Sequence, residues 1–268
     1  MTLEVGIILP TSTPDPARPI LGDVRAAARL AEQGGLDSVW STDHLAASGP
    51  MLDSSVVLAT AAAVTDRIRI GYGVMLLALR PAAWAAKQIA TLQYVSGDRL
   101  ILGVGTGNPV HGDAAWRAVG ASFAERGRRT DEALRVLPDL VAGRPTVLQD
   151  GTQITLAPGA TMPPVLVAGD APAARRRAAA YAEGWVAIGL EPSRIGAHVT
   201  ELAALAEEYD RQPLTVTVVA PTLATDPGRA AEQLNAYAEA GAARVVLAVS
   251  GPEWQAGYEF AAKLKAQL

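Results

Sequence analysis

Residues 66–108 read DRIRIGYGVMLLALRPAAWAAKQIATLQYVSGDRLILGVGTGN. The stretch opens on an apolar, β-branched run at 67–76 (RIRIGYGVML) and closes on a second at 100–104 (LILGV). Between them, 81–96 carries a helical period in which Ala85, Ile89, Leu92 and Val95 recur at spacings of three and four. Both strand runs are continuously apolar rather than alternating, the pattern of strands buried on both faces.

This strand–helix alternation continues in both directions. Further strand-like runs lie at 3–9, 37–41, 164–168, 185–188, 214–220 and 244–249. A second clear helical period covers 123–142, where Leu134, Leu137, Leu140 and Val141 oppose Glu125, Arg128, Arg129 and Asp131. Pro138 inside it is expected to kink the helix or end it early. Eight strands, each followed by a helix, fit an α/β fold closed as a (β/α)8 TIM barrel. An open doubly wound sheet usually has about five or six strands and a glycine fingerprint after the first. Here the first turn is Pro10-Thr11-Ser12-Thr13-Pro14, which cannot cradle a pyrophosphate. Segment 143–163, with GRPTVLQDGTQITL at 143–156, reads as a β-hairpin around Asp150-Gly151 inserted before the fifth strand. No linker interrupts the alternation, so residues 1–268 are expected to form one domain.

Composition narrows the function classes. Of 268 residues, 50 % are hydrophobic and 19 % charged, enough to build a large core and too apolar for a disordered chain. Lys and Arg total 23 against 27 Asp and Glu, a net charge of −4, and no basic run tracks a phosphate backbone; no nucleic-acid partner is expected. The absence of cysteine excludes disulfides, a thiolate nucleophile and cysteine-ligated metal. MTLEVGIILPTSTPD at the N-terminus has no basic stretch and enters a strand at once, unlike a signal peptide. The longest uncharged run, 151–169, is broken by Gly151, Pro158, Gly159, Pro163, Pro164 and Gly169, so no membrane span is expected. A cytoplasmic location is the corresponding expectation.

In such a barrel the chemistry sits at the C-terminal strand ends. The second strand runs into Ser41-Thr42-Asp43-His44, the third ends Gly71-Tyr72-Gly73-Val74-Met75, and the fourth ends Gly103-Val104-Gly105-Thr106-Gly107-Asn108 with His111 just beyond. The fifth ends Val167-Ala168-Gly169-Asp170. Two of the chain's three histidines thus fall on the expected active face. Each feature has a structural reading beside the functional one. An Asp-His pair can cap a loop or helix, and alternating glycines can make room for larger neighbours. Arg126, Arg128 and Arg129 fit a solvated helix face. Of Arg175, Arg176 and Arg177, at most one or two can face an anion. His198, in the helical run 192–209, reads as an exposed surface histidine.

These residues resemble the bacterial luciferase-like superfamily of flavin- and deazaflavin-dependent barrel oxidoreductases. The resemblance runs through 22–36, DSVWSTDHL (37–45), the 66–108 block, SFAERGRRTDEALRVL (122–137) and PPVLVAGDAPAARRRAAAYAEGW (163–185). STDHL followed by GVGTG is similar to the branch that uses the deazaflavin coenzyme F420. The resemblance implies that Asp43 contacts the coenzyme and that His44 is the catalytic acid/base. It implies a cis Gly73–Val74 peptide forming a bulge behind the ring. It implies coenzyme or substrate contacts from Thr106, Gly107, Asn108 and His111, and phosphate contacts from Gly169, Asp170 and Ala171. No metal is implied. Asn108 departs from the closest dehydrogenases, which carry a carboxylate there; an amide cannot exchange a proton as an acid or base. The basic residues that bind phosphate in the branch's sugar-phosphate dehydrogenase also have no evident counterparts.

The expectation is therefore an F420-dependent oxidoreductase acting on a small organic substrate, with His44 handling the proton. An FMN-dependent monooxygenase fed by a separate reductase is the alternative, and a non-catalytic cofactor-binding barrel is a third. The segments 44–53 and 189–193 are expected to set specificity, and a homodimer is compatible with the resemblance.

Overall fold

The structure, a computed structural model, describes residues 2–13, 21–47, 49–248 and 253–268. Its barrel begins with strands β1 (Glu4–Ile8), β2 (Ser38–Ser41), β3 (Arg69–Met75) and β4 (Leu100–Val104). A two-stranded antiparallel hairpin follows, β5 (Thr146–Val147) and β6 (Gln153–Ile154), with Gly151 at φ +84° in its turn. The barrel resumes with β7 (Val165–Ala168), β8 (Gly184–Ile188), β9 (Thr215–Val219) and β10 (Arg244–Leu247). The eight barrel strands are parallel and close where β10 pairs with β1, Glu4 opposite Arg244 and Ile7 opposite Leu247. The TIM barrel and the inserted hairpin expected from the sequence are both present. Pro14 in the first turn and Val249 at the end of the last expected strand lie outside the described residues.

The principal helices are α1 (Val24–Gln33), α2 (Ser54–Ala63), α3 (Ala82–Ser96), α4 (Ala114–Ala118), α5 (Arg126–Val141), α6 (Pro172–Tyr181), α7 (Pro192–Glu208), α8 (Pro227–Glu239) and α9 (Trp254–Lys265). Local chemistry sets several of their ends. Asp23, Asp53 and Asp226 cap α1, α2 and α8 by accepting from first-turn backbone N–H groups. α3 stops at Gly97, which adopts φ +66°, and Asp98 N–H bonds back to the Gln93 carbonyl at 2.9 Å. Arg99 then donates to the carbonyls of Ala62, Thr65, Ile68 and Ser96 and to Thr65 Oγ1. The Ser96-Gly97-Asp98-Arg99 motif is thus a structural joint leading into the start of β4.

Two expectations are corrected. Val95 is 54 % exposed, and the buried stripe of α3 runs instead through Ala85, Ile89 and Leu92. α5 continues through Pro138 to Val141. A mid-helix proline costs about 3 kcal/mol, but Leu137, Leu140 and Val141 are all completely buried. Burying each such side chain contributes about 1.5–3 kcal/mol, so packing holds the last turn in place.

The outward strand side chains pack beneath the helices, whereas a separate cluster of Trp40, Ile101, Leu166, Ala168, Val186 and Val246 fills the barrel. Trp40 Nε1 donates to Ser38 Oγ at 2.9 Å, and the indole lies across the neighbouring strands at Gly6 and Gly71. A Cβ on Gly6 would stand 2.7 Å from Trp40 Nε1, and one on Gly71 2.6 Å from Trp40 Cδ2. On the opposite side of β3, a Cβ on Gly103 would collide with the Tyr72 carbonyl oxygen and come within 2.9 Å of Val74 Cγ1.

These spaces give opposite expectations for two Gly→Ala changes. Gly103→Ala overpacks against backbone and should lower unfolding free energy by about 1–3 kcal/mol. Gly196→Ala lies within α7 with open space around the new methyl and should raise it by about 0.5–1 kcal/mol. Urea unfolding of the two variants measures both; equal effects would contradict this packing.

Candidate functional site

The C-terminal end of β2 is organised by one carboxylate. Asp43 is buried, and both of its oxygens are engaged. Oδ1 accepts from Ser54 Oγ and an Arg80 guanidinium nitrogen, each at 2.7 Å. Oδ2 accepts from the other terminal nitrogen of Arg80 at 2.7 Å and from Leu76 N–H at 2.8 Å. This bidentate pair joins the end of β2, the exit of β3, the first residue of α2 and the approach to α3. Burial acts to raise the Asp43 pKa, but the Arg80 guanidinium and the N–H and O–H donors outweigh it and hold the carboxyl below its ordinary value.

β3 leaves the barrel irregularly. Its pairing with β4 shifts register between Tyr72 and Met75, and the Gly73–Val74 peptide is cis, as the resemblance implies. Val74 projects over β4, where side chains are absent: a Cβ on Gly105 would stand 2.5 Å from Val74 Cγ2. Gly105 N–H in turn donates to the Met75 carbonyl at 3.0 Å. Gly103 and Gly105 are therefore spacers for the neighbouring bulge, whereas Gly107 faces Trp116. Tyr72 behind it is buried, with its hydroxyl 2.8 Å from Ser55 Oγ, and burial drives its pKa upward.

Beyond Gly105, Thr106 and Gly107 (φ +86°) lead into a short turn, Pro109–His111. Asn108 caps this turn, its Oδ1 accepting from Val110 N–H at 3.1 Å. The turn brings His111 against His44, with ring centroids 4.5 Å apart and ring planes at 63°. His44 is half-buried; burial first, then the adjacent His111, lowers its pKa against the opposing effect of Asp43. His111 Nδ1 is buried and has no hydrogen-bond partner among the described residues. His44 also lines a recess of about 380 Å³ with Leu45–Ala47 and Gly49–Met51. Above it, Leu52 N–H bonds to the Thr11 carbonyl and Thr13 N–H to the Pro50 carbonyl, so the first two strand-end loops are laced together.

At the top of β7, Gly169 has φ +127° and its carbonyl accepts from Trp185 Nε1 at 2.8 Å. Ala171 precedes α6 without a side-chain cap, and Pro172 occupies the first turn. The Asp170 carboxylate lies 3.2 Å from Arg175, 3.0 Å from Arg194 and 2.7 Å from His198 Nε2. One reading is corrected here, and the three arginines fall within the limit expected of them. His198 keeps only 13 % of its side chain exposed, because α7 turns it toward Asp170 and the Trp185 ring. Arg175 is buried between Asp170 and Glu201, and Arg177 pairs with Asp131, so neither stands free to meet an anion; Arg176 is exposed. The expected solvated face of α5 is also only partial. Arg128 is exposed, Arg126 lies 3.9 Å over the Phe123 ring, and Arg129 donates to the Ala78 carbonyl.

All eleven residues singled out from the sequence lie at the ends of β2, β3, β4 and β7, four consecutive staves of the barrel. Arg80 and Ser54 were not singled out. Arg80 had a signal in its position immediately before Pro81 at the start of a helix; Ser54 had none beyond following a capping aspartate.

The chain matches the luciferase-like monooxygenase family over residues 3–266 and belongs to it. It is 31 % identical to the 5,10-methylenetetrahydromethanopterin reductase of Methanolobus tindarius over 211 residues, 76 % of this chain and 61 % of the relative. The chain spans about three fifths of the length of the curated relatives it matches. Its fold is shared with an F420-dependent secondary alcohol dehydrogenase solved with an F420–acetone adduct, at TM-score 0.85 and 17 % identity over 98 % of both chains. It is likewise shared with the oxygenating constituent of 3,6-diketocamphane monooxygenase of Pseudomonas putida in complex with FMN, at TM-score 0.79 and 17 % identity over 98 % and 96 % of the two chains. No helix among the described residues is long and apolar enough to cross a membrane.

The buried pair yields a stability test with a definite pH sign. The folded-state pKa of Asp43 is depressed, so its contribution is complete above the ordinary value near 3.9 and is lost as pH falls below it. Arg80→Met leaves a buried carboxylate unpaired and should cost about 3–5 kcal/mol at pH 7. The deficit should shrink toward acid, where Asp43 takes up a proton, and Asp43→Asn in the same background should recover part of it. Denaturant unfolding at several pH values measures this; an Arg80→Met protein as stable as its parent at pH 7 would contradict it.

Proposed function

We propose that this chain is an F420-dependent oxidoreductase that transfers a hydride between the deazaflavin and a small organic substrate. The observation that carries the reading is the convergence of a half-buried histidine, a bulged strand and a glycine-rich turn on one barrel mouth. When bound, the coenzyme supplies or accepts the hydride, two electrons with one proton. The remaining proton needs a group on the protein.

The chain's own residues fit that division of labour. His44 has a pKa lowered by burial, so near neutral pH its imidazole is uncharged and able to accept a proton. Val74, held forward over Gly103 and Gly105, offers an apolar surface for a flat ring. At the uncapped start of α6, where Pro172 has no N–H and the Ala174 and Arg175 N–H groups return to the Ala171 carbonyl, the Ala173 N–H is left to meet a phosphate, helped by the positive end of the helix dipole. Asp43 serves indirectly, because its acceptor sites are occupied by Arg80, Ser54 and Leu76; it fixes the loop that carries His44 and the exit of the bulge. The similarity to an F420-dependent hydroxymycolic acid dehydrogenase of Mycobacterium tuberculosis, 30 % identical over 66 % of this chain, and to an F420-dependent glucose-6-phosphate dehydrogenase of Kineococcus radiotolerans, 37 % identical over 44 % of it, supports the same reading.

A second reading, an FMN-dependent monooxygenase, is favoured by 30 % identity to the 4-hydroxyprotoasukamycin monooxygenase of Streptomyces nodosus subsp. asukaensis over 71 % of this chain. Asn108, whose Oδ1 caps a turn where the resemblance has a carboxylate, instead favours a barrel that binds the cofactor without turnover, and the retained His44 opposes that option.

Fluorescence and absorbance titrations with F420 and with FMN separate the two. Saturable binding of F420 well below the concentration needed for FMN is the expected result; the reverse order would favour the monooxygenase. His44→Ala should keep F420 affinity within a few-fold and lower turnover by about a hundred- to ten-thousand-fold. Ala171→Asp adds an N-cap and should leave thermal stability equal or higher. Its carboxylate at the proposed phosphate position should weaken F420 binding by about tenfold or more, a loss of at least about 1.4 kcal/mol. Unchanged affinity would move the phosphate elsewhere.

A further inference from the structure

We infer that His44 and His111 form one coupled proton-holding pair, sharing at most one proton near neutral pH, with His111 as the relay that exchanges a proton with His44. The inference rests on the proton-transfer role proposed for His44 and adds the second group of that site.

Three observations carry it. The rings meet edge to face at 4.5 Å, close enough that charging one opposes charging the other. His111 Nδ1 is buried yet bonded to no group among the described residues, so one ring nitrogen remains uncommitted inside the site. The third is the amide at position 108, whose Oδ1 is already used by Val110 N–H. It cannot titrate, and His111 lies three residues beyond it on the same turn.

The charged surroundings leave little to stabilise a second proton. Asp43 is the carboxylate that acts on His44, and Arg80 neutralises it bidentately. Asp113, just past the His111 turn, is half-buried and paired with Arg117. A like charge on His111 also opposes protonation of His44, in the direction this geometry requires. The proton balance is simple. A proton that His44 takes from the substrate adds one charge to the pair, passes to His111 and leaves from there to solvent, because His111 is partly exposed; in the reverse direction His111 takes a proton from solvent and returns it to His44. Only the transfer between the two rings leaves the charge of the pair unchanged. His111 is a positioning and relay residue rather than a substrate contact.

The test needs no substrate. The chain has three histidines, so their ring carbon–hydrogen NMR signals can be assigned with His44→Asn, His111→Asn and His198→Asn variants and followed from about pH 5 to 8. In the wild-type protein, the two site histidines should titrate in separate steps belonging to the pair. In His111→Asn, the lower step should vanish and His44 should titrate about one pH unit higher. His111→Gln should reproduce the shift, guarding against a local effect of one substitution. Site histidines that titrate at the same pH with and without their neighbour would overturn the coupling. F420 titration of the same proteins keeps the two readings apart. Independent histidines with F420 binding intact defeat the pair alone, whereas a wild-type protein that does not bind F420 defeats the reading on which the pair rests.

Discussion

The buried ion pair between Asp43 and Arg80 is the constraint on which the mouth of this barrel depends. A carboxylate placed among apolar residues must be paired and hydrogen-bonded, and Asp43 meets that demand by drawing in three neighbouring elements. Arg80 comes from the approach to α3, Ser54 from α2, and the Leu76 N–H from the exit of β3. Hydrophobic burial alone would tolerate several arrangements of these loops. The directional bonds of one carboxylate narrow them, and His44 is the next residue along the chain. Its place in the site follows from its neighbour's bonds.

Space inside the barrel supplies the second constraint. Trp40 occupies the interior because Gly6 and Gly71 present no side chains on either side of it. On the other edge of β3, Val74 advances over β4 because Gly103 and Gly105 give way. The same strand therefore accommodates an indole on one side and leans its bulge across glycines on the other. Packing and site geometry are a single arrangement, which is how a barrel of otherwise ordinary aliphatic strands acquires an irregular, apolar surface at its open end.

Much of this was legible in the sequence because each signal was local. The strands are continuous apolar runs, and their positions follow directly; the hairpin is announced by Asp150-Gly151. The site residues could be gathered because a parallel barrel carries every strand end to the same face. What could not be read depended on contacts between distant segments. Pro138 looked like a helix end until Leu140 and Val141 proved buried. His198 reads as an exposed side chain and nothing in the sequence tells which of Arg175, Arg176 and Arg177 is free, whereas α6 and α7 bring His198 and Arg175 to the Asp170 and Glu201 carboxylates. Arg80 carried no mark of its partner, since Asp43 lies 37 residues earlier. A helical period reveals which face is apolar. It does not reveal which polar group waits on the next element.

The central claim is that this face of the barrel holds a flat deazaflavin ring between the Val74 bulge and His44. A crystal structure of the chain grown with F420 tests it most directly. The account predicts ring density packed on the Gly73–Val74 peptide, with His44 facing the reactive carbon and the phosphate at the first turn of α6. Ring density anywhere else would contradict it. One such place is the groove of about 750 Å³ that Ala78, Arg129 and Gln149 help to line on the barrel's flank.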